Sequence, residues 1–328
     1  MNQIEVRLAE SKDKEEILSL LNSVFSDVQR AEFKRGDKFW KWKYEDNVFG
    51  SPILTVATIN GKIVGFNNLW PWQFNYRGQV FSALQPCDSV VSKEHQKYGI
   101  FSRMRLDGLK RALDAGKDVV FNFPNQNSLP IYINLGWNFL GKPLWNVCII
   151  NPINIGISRF SKSKSKPVKI MDVYQLDIDI LEKLGKNKTF DKYISSHYVE
   201  NYFKWRYLEH PTLEYGMIKY EKGHKSLVAI FNLKKSGRLT EMVIVDFVGN
   251  LDSLIHLLPR IKQAAKSLKA DFYAYMNVGR VNKFKLLSNG IIQLPNKNFT
   301  VLPLNVSLEN HFSESKNWNM MAAMHDSI

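Results

Sequence analysis

The sequence predicts a mixed α/β fold with mostly antiparallel sheet, built twice in tandem. Three observations carry this. An aromatic and basic string, Phe39-Trp40-Lys41-Trp42-Lys43-Tyr44-Glu45-Asp46, returns about half the chain later as Tyr202-Phe203-Lys204-Trp205-Arg206-Tyr207-Leu208-Glu209. The segments that follow the two copies agree in type and order. The order itself is one helix after a first strand, then a run of hairpin strands, then strand–helix alternation, which excludes a regular parallel sheet. At 328 residues the chain has room for two such domains.

Taken in order, Ile4–Leu8 alternates apolar and polar residues as a half-buried strand does. Asp13 with Glu16 three residues on reads as a capping box, and Ile17, Leu18, Leu20, Leu21, Val24 and Phe25 share one face of the helix it opens. Ile53–Thr58 and Ile63–Asn68 flank Asn60-Gly61, the preferred two-residue hairpin turn. A further strand, interrupted at Pro86, runs to Val91. Ile100, Phe101, Met104, Leu109, Ala112 and Leu113 give a helix that Gly116 stops, and Val119–Phe123 is the next strand. The second half repeats the series: a turn at Lys222-Gly223-His224, strands Ser226–Phe231 and Met242–Val248, an amphipathic helix, and a strand at Phe272–Tyr275. Both halves close on a glycine after a leucine, Leu135-Gly136-Trp137 and Leu286-Leu287-Ser288-Asn289-Gly290. Because the aromatic strings recur with their surroundings, they are expected to be architectural rather than base-stacking platforms. The alternating serines and lysines of Ser158–Lys169 cannot bury an apolar face and read as a solvated connection.

Composition narrows the function. Apolar residues are 45% and charged residues 23%, which excludes a disordered chain. The net charge of +14 favours anionic partners such as nucleotide phosphates. Two cysteines, Cys87 and Cys148, exclude a disulfide-stapled scaffold, and the histidines and cysteines show no metal-ligand spacing. No run reaches the ~18 apolar residues of a membrane span, and no secretory signal opens the chain. A soluble, cytoplasmic protein without a metal is expected.

One loop looks chemical. Ser92-Lys93-Glu94-His95-Gln96-Lys97-Tyr98-Gly99-Ile100-Phe101 joins a strand to a helix, so unpaired backbone N–H groups and the positive end of the helix dipole meet there. That is a physical site for a pyrophosphate. Gln96-x-x-Gly99-x-Phe101 resembles the Gln/Arg-x-x-Gly-x-Gly/Ala signature of the GNAT superfamily of acyl-coenzyme A-dependent N-acyltransferases, with Phe101 in place of the usual small residue. Asn125, followed by Tyr132, Gly136 and Trp137, is similar to a second signature of that superfamily, with Ser128 where alanine is usual. The two motifs and the opening strand and helix extend the resemblance over about residues 1–150. The whole resembles double-GNAT proteins, in particular those of polysaccharide-biosynthesis loci.

What the resemblance implies is a coenzyme-binding domain over residues 1–153, a linker over 154–168 and a degenerate GNAT-like copy over 169–328. The second copy has Leu286 and Gly279 at the tyrosine and asparagine positions and no Gln/Arg-x-x-Gly loop, so a second coenzyme site is not expected. Acetyl-CoA would be the acyl donor. The backbone of Ser89, Val90 and Val91 would hold the pantetheine arm and polarise the acyl oxygen. Gln96, Lys97, Tyr98, Gly99, Ile100 and Phe101 would hold the pyrophosphate, with Asn125 and Ser128 beside the coenzyme. Tyr132 would protonate the leaving thiolate, and Asp88 is the candidate base for the acceptor amine. The acceptor would be a small amine, such as an amino sugar or sugar nucleotide, with no role for nucleic acid. Two alternatives stay open: a Fem-like aminoacyl transferase, for which +14 would suit charged tRNA, and a binding protein that keeps the fold without turnover.

Overall fold

The computed structural model describes residues 4–25, 35–158, 165–186, 192–223, 225–276 and 281–325. Part of the Ser158–Lys169 connection, His224 and Gly279 therefore lie outside the described residues. The first half runs β1 (Ile4–Leu8), α1 (Lys14–Phe25), α2 (Asp37–Trp40, continued by a wide π turn Lys41–Glu45), β2 (Ile53–Ile59), β3 (Lys62–Tyr76), β4 (Gln79–Val91), α3 (Ile100–Asp114), β5 (Val119–Asn122), α4 (Leu129–Asn134) and β6 (Asn138–Phe139). There follow β7 (Leu144–Ile149), α5 (Pro152–Ser158), β8 (Ser165–Pro167), α6 (Ile178–Gly185) and β9 (Ser195–Ser196). After a second π turn, Lys204–Leu208, come β10 (Gly216–Tyr220), β11 (Leu227–Ser236), β12 (Leu239–Gly249), α7 (Leu254–Ser267), β13 (Phe272–Met276), α8 (Lys283–Ser288), β14 (Ile291–Pro295), β15 (Thr300–Pro303) and α9 (Glu309–Phe312).

Two mostly antiparallel sheets result, of order β1-β2-β3-β4-β5-β15-β6 and β10-β11-β12-β13-β7-β14. In each, one parallel pair interrupts the antiparallel run, β4 with β5 and β12 with β13, because a helix crosses over between the two strands. In the first sheet α1 and α2 cover one face through Leu21, Trp40 and Tyr44 on Val56, Phe66 and Val90. Met104 and Ala112 of α3 and Tyr132 of α4 cover the other through Ala57, Val64, Leu84 and Val120. In the second, α7 packs Leu254, Leu257, Leu258 and Ile261 onto Leu227, Ala229, Met242 and Tyr273.

The compact units are not the sequence halves. One comprises residues 1–74, 80–141 and 298–315, the other 75–79, 142–297 and 316–328. The boundaries expected from sequence, 153 and 169, leave β7 and β15 on the wrong sides: β7 pairs with β13 and β14, and β15 pairs with β5 and β6. The reason is physical. A crossover strand that ends a parallel pair exposes a row of unpaired N–H and C=O groups, and each sheet closes that edge with a strand from the other half of the sequence.

Local signals held unevenly. Asn60 and Gly61 sit at φ 51° and 78°, as the two-residue turn requires, and Gly116 at φ 63° ends α3. The capping box forms three residues earlier than the sequence suggests, with Glu10 as its N-cap and Asp13 accepting the Glu10 N–H at 2.8 Å rather than pairing with Glu16. Arg7 pairs with the same carboxylate at 2.6 Å and holds it below the ordinary range. Glu16 instead accepts the Ile63 N–H at 2.9 Å, pinning α1 to β3.

Candidate active site

The site begins with a proline. Ser82 turns both its N–H and its C=O toward Asp118: Asp118 N–H donates to the Ser82 carbonyl at 3.1 Å, and the Asp118 carboxylate accepts the Ser82 N–H at 2.8 Å. Along a parallel ladder alternate residues face the same neighbour, so Ser82, Leu84 and Pro86 face β5. Register is kept at Ala83–Val119 and Leu84–Val120 and stops there, where Pro86 has no N–H to offer. Two residues further on, Asp88 takes φ 49° near the end of β4, an irregularity within the strand. From Gln85 onward β4 and β5 are no longer paired, which leaves a break in the ladder.

The second sheet shows the same junction closed. Asp271 N–H donates to Thr240 O at 2.8 Å and the Asp271 carboxylate accepts the Thr240 N–H at 2.7 Å, repeating the Ser82–Asp118 pair. Ile244 stands where Pro86 would, and pairing continues through Val243–Ala274 to Ile244–Tyr275. With the N–H present, the strands stay zipped.

At the open end of β4 the chain enters the loop singled out in the sequence. Lys97 and Gly99 lie at φ 71° and 74°, a conformation that only glycine takes without strain. Ser92 Oγ and His95 Nδ1 are 2.8 Å apart, the Gln96 side chain reaches back to the Val91 carbonyl at 3.4 Å, and Gly99 is the residue before α3. Gln96, Lys97, Tyr98 and Gly99 are exposed, whereas Ile100 is buried and anchors the helix, and Phe101 lies half-buried beside it. No atom lies within 4 Å of where a Cβ on Gly99 would stand, so the loop leaves open space over the helix N-terminus.

Tyr132 is buried on α4 and packed edge-on against Trp137 with ring centroids 4.7 Å apart. Arg105 of α3 and Asn122 of β5 are its polar neighbours, the guanidinium 5.4 Å from the ring centroid. Asn122 turns its carbonyl oxygen to the Phe123 N–H at 2.8 Å. Burial pushes the phenol up from its ordinary value, while Arg105 and Asn122 pull it back down. Ser89 of β4 accepts from Arg105 at 2.7 Å, and Val90 is buried against the α1 side of the sheet. Arg105 escaped the sequence reading, although a signal was there: it interrupts an apolar stripe of Phe101, Met104 and Ala112 on α3.

Asp88 is not placed as a base. Its two oxygens lie 2.5 Å from Lys43 Nζ, 3.2 Å from Arg35 Nη2 and 3.0 Å from the Tyr44 hydroxyl, all buried. Taking up a proton there would strand two cations without a counter-charge. The second sheet repeats the device: Tyr207 and Tyr198 donate to Asp246 at 2.7 and 2.8 Å, beside buried Arg206. The aromatic strings thus serve a structural purpose: each brings a tyrosine to an aspartate near the end of a central strand, joined by Lys43 in the first sheet, while Arg206 in the second donates to the Ala323 and His325 carbonyls. Asn125 is exposed and bonded within its own turn. Its side-chain oxygen accepts the N–H groups of Asn127 and Ser128 at 3.0 and 2.9 Å, with Ser128 Oγ 3.1 Å away, so the pair forms the turn that leads into α4.

Among the described residues no helix is long and apolar enough to cross a membrane, and no three His, Cys, Asp or Glu side chains gather as metal ligands.

Comparison with known proteins bears on the fold. Residues 5–140 match the acetyltransferase (GNAT) domain family. No curated protein sequence matches the chain. Among solved structures, a probable N-acyltransferase from Enterococcus faecalis superposes with TM-score 0.67 at 11% identity, over 93% of this chain and 73% of that one. A GCN5-related N-acetyltransferase from Anabaena variabilis gives 0.63 at 13% identity, over 93% and 74%. The Saccharomyces cerevisiae N-myristoyltransferase, solved with bound myristoyl-CoA, gives 0.58 at 12% identity, over 92% and 82%. At such identities the likeness is one of fold: a GNAT-type fold running through nearly the whole chain. Together with the family match it supports an N-acyltransferase.

Proposed function

We propose that the protein transfers an acyl group, acetyl in the first instance, from coenzyme A to the amine of a small acceptor by direct attack. The observation that supports this reading is the end of β4–β5 pairing before Pro86, with the Gly99 loop leading from β4 into the N-terminus of α3 and Tyr132 buried on α4. The N–H groups of Gln96–Phe101 would hold the donor's pyrophosphate, aided by the dipole of α3. The freed backbone of Ser89, Val90 and Val91 would pair with the pantetheine amide groups and meet the developing oxyanion, which stabilises the transition state more than the ground state. Tyr132 would give its proton to the departing sulfur. Asn125 and Ser128 contribute by setting α4 rather than by contact, and Asp88 by bracing the irregularity in β4. The excess of positive charge suits a phosphorylated acceptor such as a sugar nucleotide.

The testing experiment is thermal denaturation with acetyl-CoA, coenzyme A and ATP, repeated on Gly99→Glu. A ligand at 100 times its dissociation constant adds about 2.7 kcal/mol to stability. The coenzyme species are expected to stabilise the wild type and not the variant. Equal stabilisation of both would put the coenzyme elsewhere.

A further inference from the structure

Arg105 is a buried cation with only neutral company. Nη1 donates to Asn67 Oδ1 at 2.6 Å and Nη2 to Ser89 Oγ at 2.7 Å, and the guanidinium lies beside the Tyr132 phenol. It is 5% exposed, lies 4.9 Å from the ring of Phe101 and 5.4 Å from that of Tyr132, and its Nε has no acceptor. Among the described residues no carboxylate lies within ion-pair distance of it. The other buried cations of the same sheet, Arg35 and Lys43, share Asp88. A guanidinium held in the core without a counter-charge is costly, and the cost is recovered only if an anion forms beside it.

The group placed to become that anion is Tyr132. We infer that Arg105 is the positioning residue of the acid step: it orients the Tyr132 phenol and supplies the positive charge that the phenolate needs. The inference rests on Tyr132 acting as the acid. In that step the amine nitrogen forms a bond to the acyl carbon, the carbon–sulfur bond breaks and its electron pair goes to sulfur. The Tyr132 proton moves to that sulfur, giving the thiol. Arg105 and Asn122 then hold the phenolate by hydrogen bonds that are charge-assisted and therefore stronger than in the resting state. The proton released by the product nitrogen, passed through water, restores the phenol. Asn67 and Ser89, one on β3 and one on β4, keep the guanidinium from turning away.

The test separates the coupling from the chemistry. Protein carrying 3-fluorotyrosine is titrated by fluorine NMR, with Tyr132→Phe assigning the resonance; fluorine lowers the phenol into a range the fold survives. The midpoint for residue 132 is expected to rise by about one pH unit or more in Arg105→Gln, which keeps hydrogen-bond donors but no charge, and to stay close to wild type in Arg105→Lys. Release of coenzyme A from acetyl-CoA, with hydroxylamine as the probe acceptor, is followed in parallel. Arg105→Gln is expected to lower kcat about tenfold or more, with KM for acetyl-CoA within about threefold and the alkaline limb displaced upward. An unmoved midpoint in Arg105→Gln overturns the inference while leaving Tyr132 as the acid. Wild-type turnover in Tyr132→Phe overturns the acid itself, and this step with it. Arg105→Lys guards against a variant that fails to fold, since a folded lysine variant with an unmoved midpoint is what charge compensation requires.

Discussion

Replacing Asp88 by Asn should damage the protein far more than the same change at Asp246, although the two residues occupy matching places in the two sheets. Asp88 lies between Lys43 and Arg35, which are 2% and 4% exposed. The amide keeps the volume and an acceptor for Tyr44 but leaves both cations buried without a counter-charge. Removing one partner of a buried ion pair costs about 3–5 kcal/mol, and two cations depend on this one carboxylate, so the upper part of that range is expected. Asp246 accepts from two phenols and the Phe247 N–H, and burial raises its carboxyl from 3.8 to about 6. At pH 7 its ionised form therefore costs the folded state about 3 kcal/mol, at about 1.4 kcal/mol per pH unit. An amide escapes that cost and gives up about 1–2 kcal/mol of hydrogen bonding, leaving a net change near zero or slightly stabilising. Urea denaturation at pH 7, followed by circular dichroism, gives both values. A loss under about 1 kcal/mol for Asp88→Asn, or equal losses for the two variants, would refute the reasoning.

Other outcomes follow from the same geometry. Because the Asp246 carboxyl is held above its unfolded value, its contribution is present below about pH 4 and is lost as pH rises to about 6, so stability should decline across that window and Asp246→Asn should flatten the decline. Pro86→Ile restores the missing N–H and should let β4 and β5 zip as β12 and β13 do, weakening coenzyme A binding by about tenfold or more in calorimetric titration without loss of fold. Tyr132→Phe should lower kcat by about 10²–10⁴-fold while acetyl-CoA binding stays within about threefold. Gly99→Glu should keep the fold, since nothing crowds the position, and lose coenzyme-dependent stabilisation.

How much of this was legible in the sequence depends on the range of the interaction. The Asn60-Gly61 turn, the stop at Gly116 and the loop with Gly99 are local, and a few neighbouring residues specify each of them. The duplication was visible because the strings around Trp42 and Trp205 repeat residue by residue. The exchange of β7 and β15 was not: a six-residue and a four-residue strand carry the same alternating pattern whichever sheet they join, and only the open edges of β13 and β5 decide. Asp88 was misread for a related cause. A carboxylate beside a candidate loop looks catalytic until Arg35 and Lys43, distant in sequence, are seen to need it. Pro86 was noted as a break in a strand, but its consequence depends on which neighbour its missing N–H faces, and that comes only from the register.

The central claim is that of two homologous strand–helix junctions one is open to coenzyme A and the other is shut. Amide hydrogen exchange with and without coenzyme A tests it most directly, because both junctions are read in one protein. Slower exchange is expected over residues 85–103 and no change over 243–256. Protection at 243–256, or none over 85–103 at saturating coenzyme A, would contradict it.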